Sequence, residues 1–242
     1  MLISEREVTL DDLQNGYYIY QPVDGFRFGI DAVLLSHFAV VKKGETVLDM
    51  GTGTGIIPIL LAARTQGKQF TGLEIQKASA EIAQKSVQYN DLGDRVSIVQ
   101  GDIKEASAIF GNETFQVVIS NPPYMIAQHG LRNTLDAKYI ARHEVLCTFE
   151  DIAREASKVI KTSGRMYLIH RPFRLTELLM TLVKYHLEPK RIRFVHSYVD
   201  KEPLMVMIEA LKGGNSGVRI DKPLIIYEKD GGYTEEIKEM YK

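Results

Sequence analysis

The residues best suited to chemistry are Asn121-Pro122-Pro123-Tyr124, which directly follow the apolar run Phe115-Gln116-Val117-Val118-Ile119-Ser120. That run reads as a buried strand. Neither proline has an N–H to donate, so the pair ends sheet pairing and fixes φ, while the Pro122 carbonyl remains able to accept a hydrogen bond. A side-chain amide, a rigid carbonyl and an aromatic face therefore meet at one corner. Such a corner suits a planar amino group held against a ring.

A second constellation lies upstream. Val47-Leu48-Asp49-Met50-Gly51-Thr52-Gly53-Thr54-Gly55-Ile56 reads as a strand, a glycine turn and the start of a helix. Glycines let the backbone approach a ligand closely, and the helix N-terminus offers N–H groups and a positive dipole end. Asp49 can accept a hydrogen bond there, or receive a cation through bridging water. Glu74, followed by Ile75, closes the next strand, where a carboxylate can bind both hydroxyls of a ribose. Asp102, in Gly101-Asp102-Ile103, follows a third strand and can reach the amino group of a bound adenine; capping a short helix is an equally good use of it. Thr52, Ile75 and Ile103 complete the candidate cofactor set.

A dinucleotide site shares these features, and a lone Gly-x-Gly-x-Gly discriminates poorly. Two details oppose it. Gly51, Gly53 and Gly55 lack the third glycine of the dehydrogenase fingerprint at its usual place, and an acidic residue stands directly ahead of the turn. Three carboxylates at the ends of three successive strands sit where open α/β sheets bind ligands.

The elements that must position these groups alternate between apolar runs and helical patterns from about residue 31 to residue 188, the signature of a parallel sheet with crossover helices. Strands are expected over 45–50, 68–74, 95–100, 115–120 and 164–170, with helices over 31–41, 55–64, 77–90, 104–110, 149–160 and 174–186. Pro58 is tolerated in the first turn of its helix, and Thr148 can cap the one that follows it. Residues 125–146 show no clear period and read as a long loop or short helix over the site. The last two runs, 191–198 and 204–211, read as an antiparallel pair. Residues 1–44 are expected to form an N-terminal segment that caps the cofactor, 45–212 the core, and 213–242 a tail that begins with a flexible glycine-rich stretch.

Composition sets the bounds. With 242 residues, 45% hydrophobic and 25% charged, the chain fits one globular domain with a substantial core. Cys147 is the only cysteine, which excludes a disulfide framework and a multi-cysteine zinc site. The acidic N-terminus lacks a signal-peptide pattern and no apolar run approaches a membrane span, so a cytoplasmic chain with no membrane partner and no metal is expected. Net charge is −1, yet nine basic residues fall between Lys158 and Arg193 against Glu177 and Glu188, while 1–60 carries four basic and eight acidic residues. The basic segment, Arg171 and Arg174 included, could dock a polyanion or simply be a solvated surface.

The order Asp49-x-Gly-x-Gly-x-Gly, Glu74, Asp102, Asn121-Pro122-Pro123-Tyr124 resembles class I S-adenosylmethionine-dependent methyltransferases that act on planar amino nitrogens. Phe26-Arg27-Phe28-Gly29-Ile30-Asp31-Ala32-Val33-Leu34-Leu35, Arg142-His143-Glu144 and Gly231-Gly232-Tyr233-Thr234 narrow the resemblance to the tRNA(1)(Val) adenine-N6 methyltransferase family. It covers nearly the whole chain. It implies a Rossmann-like α/β fold with a mostly parallel seven-stranded sheet, an antiparallel last strand and helices on both faces. Gly51, Gly53 and Gly55 would face the methionine part and ribose of S-adenosylmethionine, Glu74 the ribose hydroxyls and Asp102 the adenine. Phe28, Gly29 and Asp31 would close over the methionine end, although Asp31 could be only a helix cap. Asn121, with Pro122 and Pro123, would hold the target amino group, and Tyr124 would stack on a base in a loop of tRNA. Arg142 could contact phosphate or pair with Glu144; His143 could act on substrate or merely pack.

Other readings remain. Enzymes that methylate a protein glutamine amide also use Asn-Pro-Pro-Tyr, but they carry a helical N-terminal domain, and only about 44 residues precede the first core strand here. Guanine-N2 enzymes more often place Phe where Tyr124 stands. A non-catalytic RNA-binding descendant would have no chemical reason to keep Asn121 together with the glycines.

Overall fold

A computed structural model describes residues 7–14, 16–23, 27–122 and 147–241. Its strands, in chain order, are β1 (Val8–Asp12), β2 (Tyr18–Pro22), β3 (Thr46–Met50), β4 (Gln69–Glu74), β5 (Val96–Gln100), β6 (Phe115–Ser120), β7 (Ile160–His170), β8 (Leu187–His196), β9 (Pro203–Lys212), β10 (Arg219–Ile220) and β11 (Leu224–Ile225). The α-helices are α1 (Ile30–Phe38), α2 (Ile56–Arg64), α3 (Lys77–Tyr89), α4 (Ala106–Phe110), α5 (Phe149–Val159), α6 (Leu175–Lys184) and α7 (Glu235–Glu239).

The main sheet runs β5-β4-β3-β6-β7-β9-β8, and only β9 is antiparallel to its neighbours. This is the expected mostly parallel seven-stranded sheet. The tail extends it, because β10 and β11 both pair in parallel with β8. Alternate residues of each strand feed opposite faces, as the pleat requires. Val47, Ile119, Tyr167 and Ile169 join α1 and α2 in one buried cluster, whereas Leu48, Met50, Val118, Met166 and Leu168 join α5 and α6 in another. Strands covered on both faces read as unbroken apolar runs, which is why they were visible in the sequence.

Local chemistry accounts for the boundaries. Thr148 and Asp151 form a reciprocal capping box that starts α5. Gly55, in the left-handed region, precedes α2, with Pro58 at its third position. Two departures stand out. The strand expected from residue 164 begins at Ile160, with a register shift against β6 between Phe115 and Val117. The N-terminal segment contains an unexpected hairpin, β1–β2, which lies on α3: the Tyr18 amide donates to Asn90 Oδ1 at 2.8 Å and the Tyr20 amide to Ser86 Oγ at 3.0 Å.

Candidate active site

The site forms at the carboxyl edge of the sheet, where β3, β4 and β6 end side by side with Asp49 opposite both Gly72 and Ile119. β3 leaves the sheet through Gly51, Gly53 and Gly55, whose φ angles of 82°, 58° and 85° are left-handed and would strain any side chain. The turn folds back onto β4, with the amides of Gly51 and Thr52 donating to the Leu73 carbonyl at 2.9 and 3.0 Å. Gly72 permits this approach, since a Cβ there would come within 2.7 Å of Thr52 Cγ2.

Glu74 is buried beneath the turn. Its Oε2 accepts from the Gly53 amide at 2.9 Å and its Oε1 from the Gln76 amide at 2.9 Å, which leaves further lone pairs for hydroxyl donors. Ile75, the next residue, is exposed. Asp102 does cap: its Oδ1 accepts from the Lys104 amide at 2.9 Å at the head of a short 3₁₀ turn, Ile103–Glu105. Ile103 Cδ1 lies 3.6 Å from where a Cβ on Gly51 would stand, so Ile103 borders the glycine turn.

Asp49 is the electrostatic oddity. It is 1% exposed, and among the described residues neither carboxylate oxygen has a hydrogen-bond partner, nor does the Thr52 hydroxyl. Burial pushes its pKa up to about 7, opposed by the nearby Thr52 hydroxyl and assisted by the Glu74 carboxylate. A buried carboxylate without a donor is costly, and an ammonium group supplies what it lacks. Ribose acceptors at Glu74, an unpartnered acid at Asp49 and a glycine cradle together fit S-adenosylmethionine.

The segment bearing Phe28, Gly29 and Asp31 is held from the hairpin. Gln21, 2% exposed, accepts from the Phe28 amide at 3.0 Å and donates to Asp11, which also pairs with Arg27 at 2.6 Å. Asp31 is the second residue of α1 rather than its N-cap; Gly29 holds that position without a side-chain bond. Asp31 Oδ1 accepts from the Ala32 amide at 3.0 Å.

β6 delivers Asn121 and Pro122, both half-buried, immediately beyond Ser120. The Ser120 hydroxyl donates to the Met50 carbonyl at 2.9 Å and so ties the end of β6 to the residue that precedes the glycine turn. Pro123, Tyr124, Arg142 and His143 lie outside the described residues. Arg171 and Arg174 follow β7 at the same edge; Arg171 donates to the Leu204 carbonyl at 3.1 Å, and Arg174 makes a two-pronged pair with Glu177. Elsewhere in the basic segment Lys158 pairs with Glu155, Arg165 with Glu45, Lys184 with Glu150, Arg191 with Glu209 and Asp221, and Arg193 with Glu236. The nine cations therefore do not form one patch.

Sequence reasoning passed over Ser120, Gln21 and His170. His170 ends β7 at 1% exposure and accepts from the Arg171 amide at Nδ1 (2.7 Å). Burial, with Arg174 nearby, lowers its pKa to about 4, so it is neutral at pH 7. The available signal was a polar residue closing an apolar strand, the same signal that marked Glu74. Cys147, half-buried against the second cluster and pushed up to about 12 by burial, is no thiolate nucleophile. Among the described residues no group of three or more His, Cys, Asp or Glu could hold a metal ion, and no helix is long and apolar enough to cross a membrane.

Known proteins place this geometry. The chain is 31% identical to a tRNA1(Val) (adenine(37)-N6)-methyltransferase of Porphyromonas gingivalis, over 87% of this chain and 85% of that one. It is 26% identical to a protein of the same name from Tolumonas auensis, over 91% and 90% of the two chains. Among solved structures, a predicted O-methyltransferase, protein Atu636 from Agrobacterium tumefaciens, superposes with a TM-score of 0.71 at 23% identity, covering 87% of this chain and 95% of that one. Pyrococcus horikoshii TYW2, solved with MeSAdo, gives 0.62 at 14% identity over 86% and 72%. These two share the fold. The family description that matches residues 29–187, two thirds of the chain and every described site element from the glycine turn to Arg174, is the methyltransferase small domain, and the chain belongs to that family.

Proposed function

We propose that this protein is an S-adenosylmethionine-dependent methyltransferase that modifies N6 of an adenine in the anticodon loop of tRNA, in the cytoplasm. One observation carries the reading. The Ser120–Met50 bond and the pairing of β3 with β6 set Asn121-Pro122 beside the glycine turn, so an amino acceptor and a methyl donor would share one corner of the sheet. The names of the relatives from P. gingivalis and T. auensis specify the same reaction and the same class of substrate.

The bound cofactor supplies an electrophilic sulfonium methyl. The remaining chemistry falls to the chain. The exocyclic nitrogen of adenine is a poor nucleophile because its lone pair is delocalised into the ring. With the Asn121 side-chain oxygen and the Pro122 carbonyl accepting its two N–H bonds, the nitrogen is favoured in tetrahedral form and the positive charge it gains is stabilised. Such acceptors are fixed where charge develops. Placement in line with the methyl supplies the rest, and the proton then leaves to water. No strong base is needed, consistent with a neutral His170 at the same edge. Tyr124 would stack on the base, which must come from a loop or be flipped out, because a base inside a helix cannot enter. Glu74 and Asp49 hold the ribose and ammonium ends of the cofactor, and Gln21 fixes the segment at Phe28 that covers it.

Incubating the protein with labelled cofactor and unmodified tRNA, followed by nucleoside analysis, tests this reading. The label is expected in N6-methyladenosine. Label in another nucleoside, or in none, overturns it.

A further inference from the structure

The tail that runs beside β8 ends in a column of tyrosines. Tyr198, in the loop after β8, faces Tyr227 with ring centres 5.5 Å apart and planes tilted by 35°. Tyr227 stacks on Tyr233 at 5.4 Å and 12°, and Tyr233 on Tyr241 at 5.9 Å and 18°. Tyr227 and Tyr241 also pack against the buried core, so the inner column explains how the tail is held. It does not explain Tyr198. That ring is half-buried, stands at the end of the column, and meets only Tyr227 among the rings of the described residues.

Tyr198, Val199, Lys201, Tyr227 and Lys229 line a groove of about 1060 Å³, the size of a site for a small organic group. Its walls are fixed in advance. His196 Nδ1 lies 2.7 Å from the Lys201 carbonyl, the Lys201 amide donates to the Tyr198 carbonyl at 3.1 Å, and the Tyr227 amide donates to the Ser197 carbonyl at 2.9 Å. β8 is parallel to β6 and β7, so its carboxyl end opens on the same edge as Asn121. Three strand spacings of about 4.8 Å separate β6 from β8, a distance of roughly 14 Å that a few unpaired nucleotides span.

We propose that Tyr198 is a stacking platform for a nucleobase flanking the target adenine in the single-stranded loop of the RNA substrate, and that the groove beside it receives that base. This inference rests on the tRNA reading above. The rim favours a base over a bare phosphate backbone, since Lys201 and Lys229 are balanced there by Asp200, Glu228 and Asp230. Carboxylates accept hydrogen bonds from base amino groups, and an aromatic face takes any base whose own face is free. Duplex RNA offers no such face.

The chain contains no tryptophan, so Tyr198→Trp places a single indole at the end of the column. Its emission is followed as an unmodified anticodon stem-loop RNA is added, while anisotropy of labelled RNA reports binding. Bound RNA is expected to quench the indole. Tyr198→Ala is expected to weaken RNA binding about ten- to a hundredfold, with cofactor affinity and the salt slope of RNA binding unchanged because no phosphate contact is lost. Should Tyr198→Ala lose cofactor affinity through misfolding, Tyr198→Leu, which keeps bulk without a ring, replaces it. RNA bound without quenching, or held by the ring-less variant as tightly as by the wild type, overturns the platform and leaves the tRNA reading standing. Failure of the wild type to bind RNA overturns both.

Discussion

The carboxylate of Glu74 accepts a hydrogen bond from the Gly53 amide at 2.9 Å, so the end of β4 and the turn that leaves β3 form one unit. Glu74→Ala removes that tether together with the proposed ribose partner. Bonds to a charged group contribute ~1.5–3 kcal/mol, and cofactor affinity is expected to fall about ten- to a hundredfold. Calorimetric titration with S-adenosylhomocysteine checks this; wild-type affinity would remove Glu74 from the site.

Asp49 gives the cofactor-free protein a pH dependence of definite sign. Its carboxyl titrates near 3.8 when unfolded and near 7 when folded. Between those values the native state binds the extra proton, so stability falls as pH rises from about 4 to about 7 and levels off above. The whole effect is at most on the order of 4 kcal/mol. Asp49→Asn should abolish it, leaving a variant more stable than wild type at pH 8 and weaker in cofactor binding. Urea unfolding at pH 5 and pH 8 measures the first; a variant with the wild-type pH profile would contradict it.

Asn121→Ala is expected to slow methylation on the order of 10²- to 10³-fold, as loss of one preorganised group does, with cofactor affinity nearly unchanged. Single-turnover rates with saturating RNA and cofactor read this directly. Normal turnover would refute the acceptor role.

The two arginines at the edge should not behave alike. Arg174 is already matched to Glu177 through two bonds, whereas Arg171 donates to a neutral carbonyl, so Arg171 keeps more of its charge for phosphate. Arg171→Ala should lower the salt slope of RNA binding by about 1, and Arg174→Ala by less. Equal slopes in both variants would place the phosphate contacts elsewhere.

Gln21→Ala breaks the link between the hairpin and the Phe28 amide. The expected result is a raised KM for the cofactor with little change in kcat, and a stability cost of ~1–3 kcal/mol from the buried groups left unpaired. A loss confined to kcat would argue that Gln21 serves the chemistry instead.

The sequence showed the sheet because its strands are covered on both faces and carry unbroken apolar runs. β6 matched residue for residue, since Asn121-Pro122 cannot continue the pairing. The hairpin was equally written, in the alternation of Tyr18-Ile19-Tyr20 and in Asn15-Gly16, a dipeptide favoured in tight hairpins, but the signal lay outside the alternating pattern. At the site, the carboxylates were legible because the topology of parallel strands puts strand ends on one edge. The Ser120–Met50 and Gln21–Phe28 bonds were not, because they join residues that only the folded chain brings together. The basic segment misled for the same reason: neighbours between Lys158 and Arg193 end up at opposite edges of the sheet, most beside an acid brought from elsewhere.

The pairing of β10 and β11 with β8 has a consequence for solubility. Without residues beyond Lys212, β8 would be the bare border of the sheet, offering unpaired amides and carbonyls to any other extended chain. The tail is thus a guard against aggregation, and a protein shortened at Lys212 is expected to self-associate before any loss of methyl transfer can be measured.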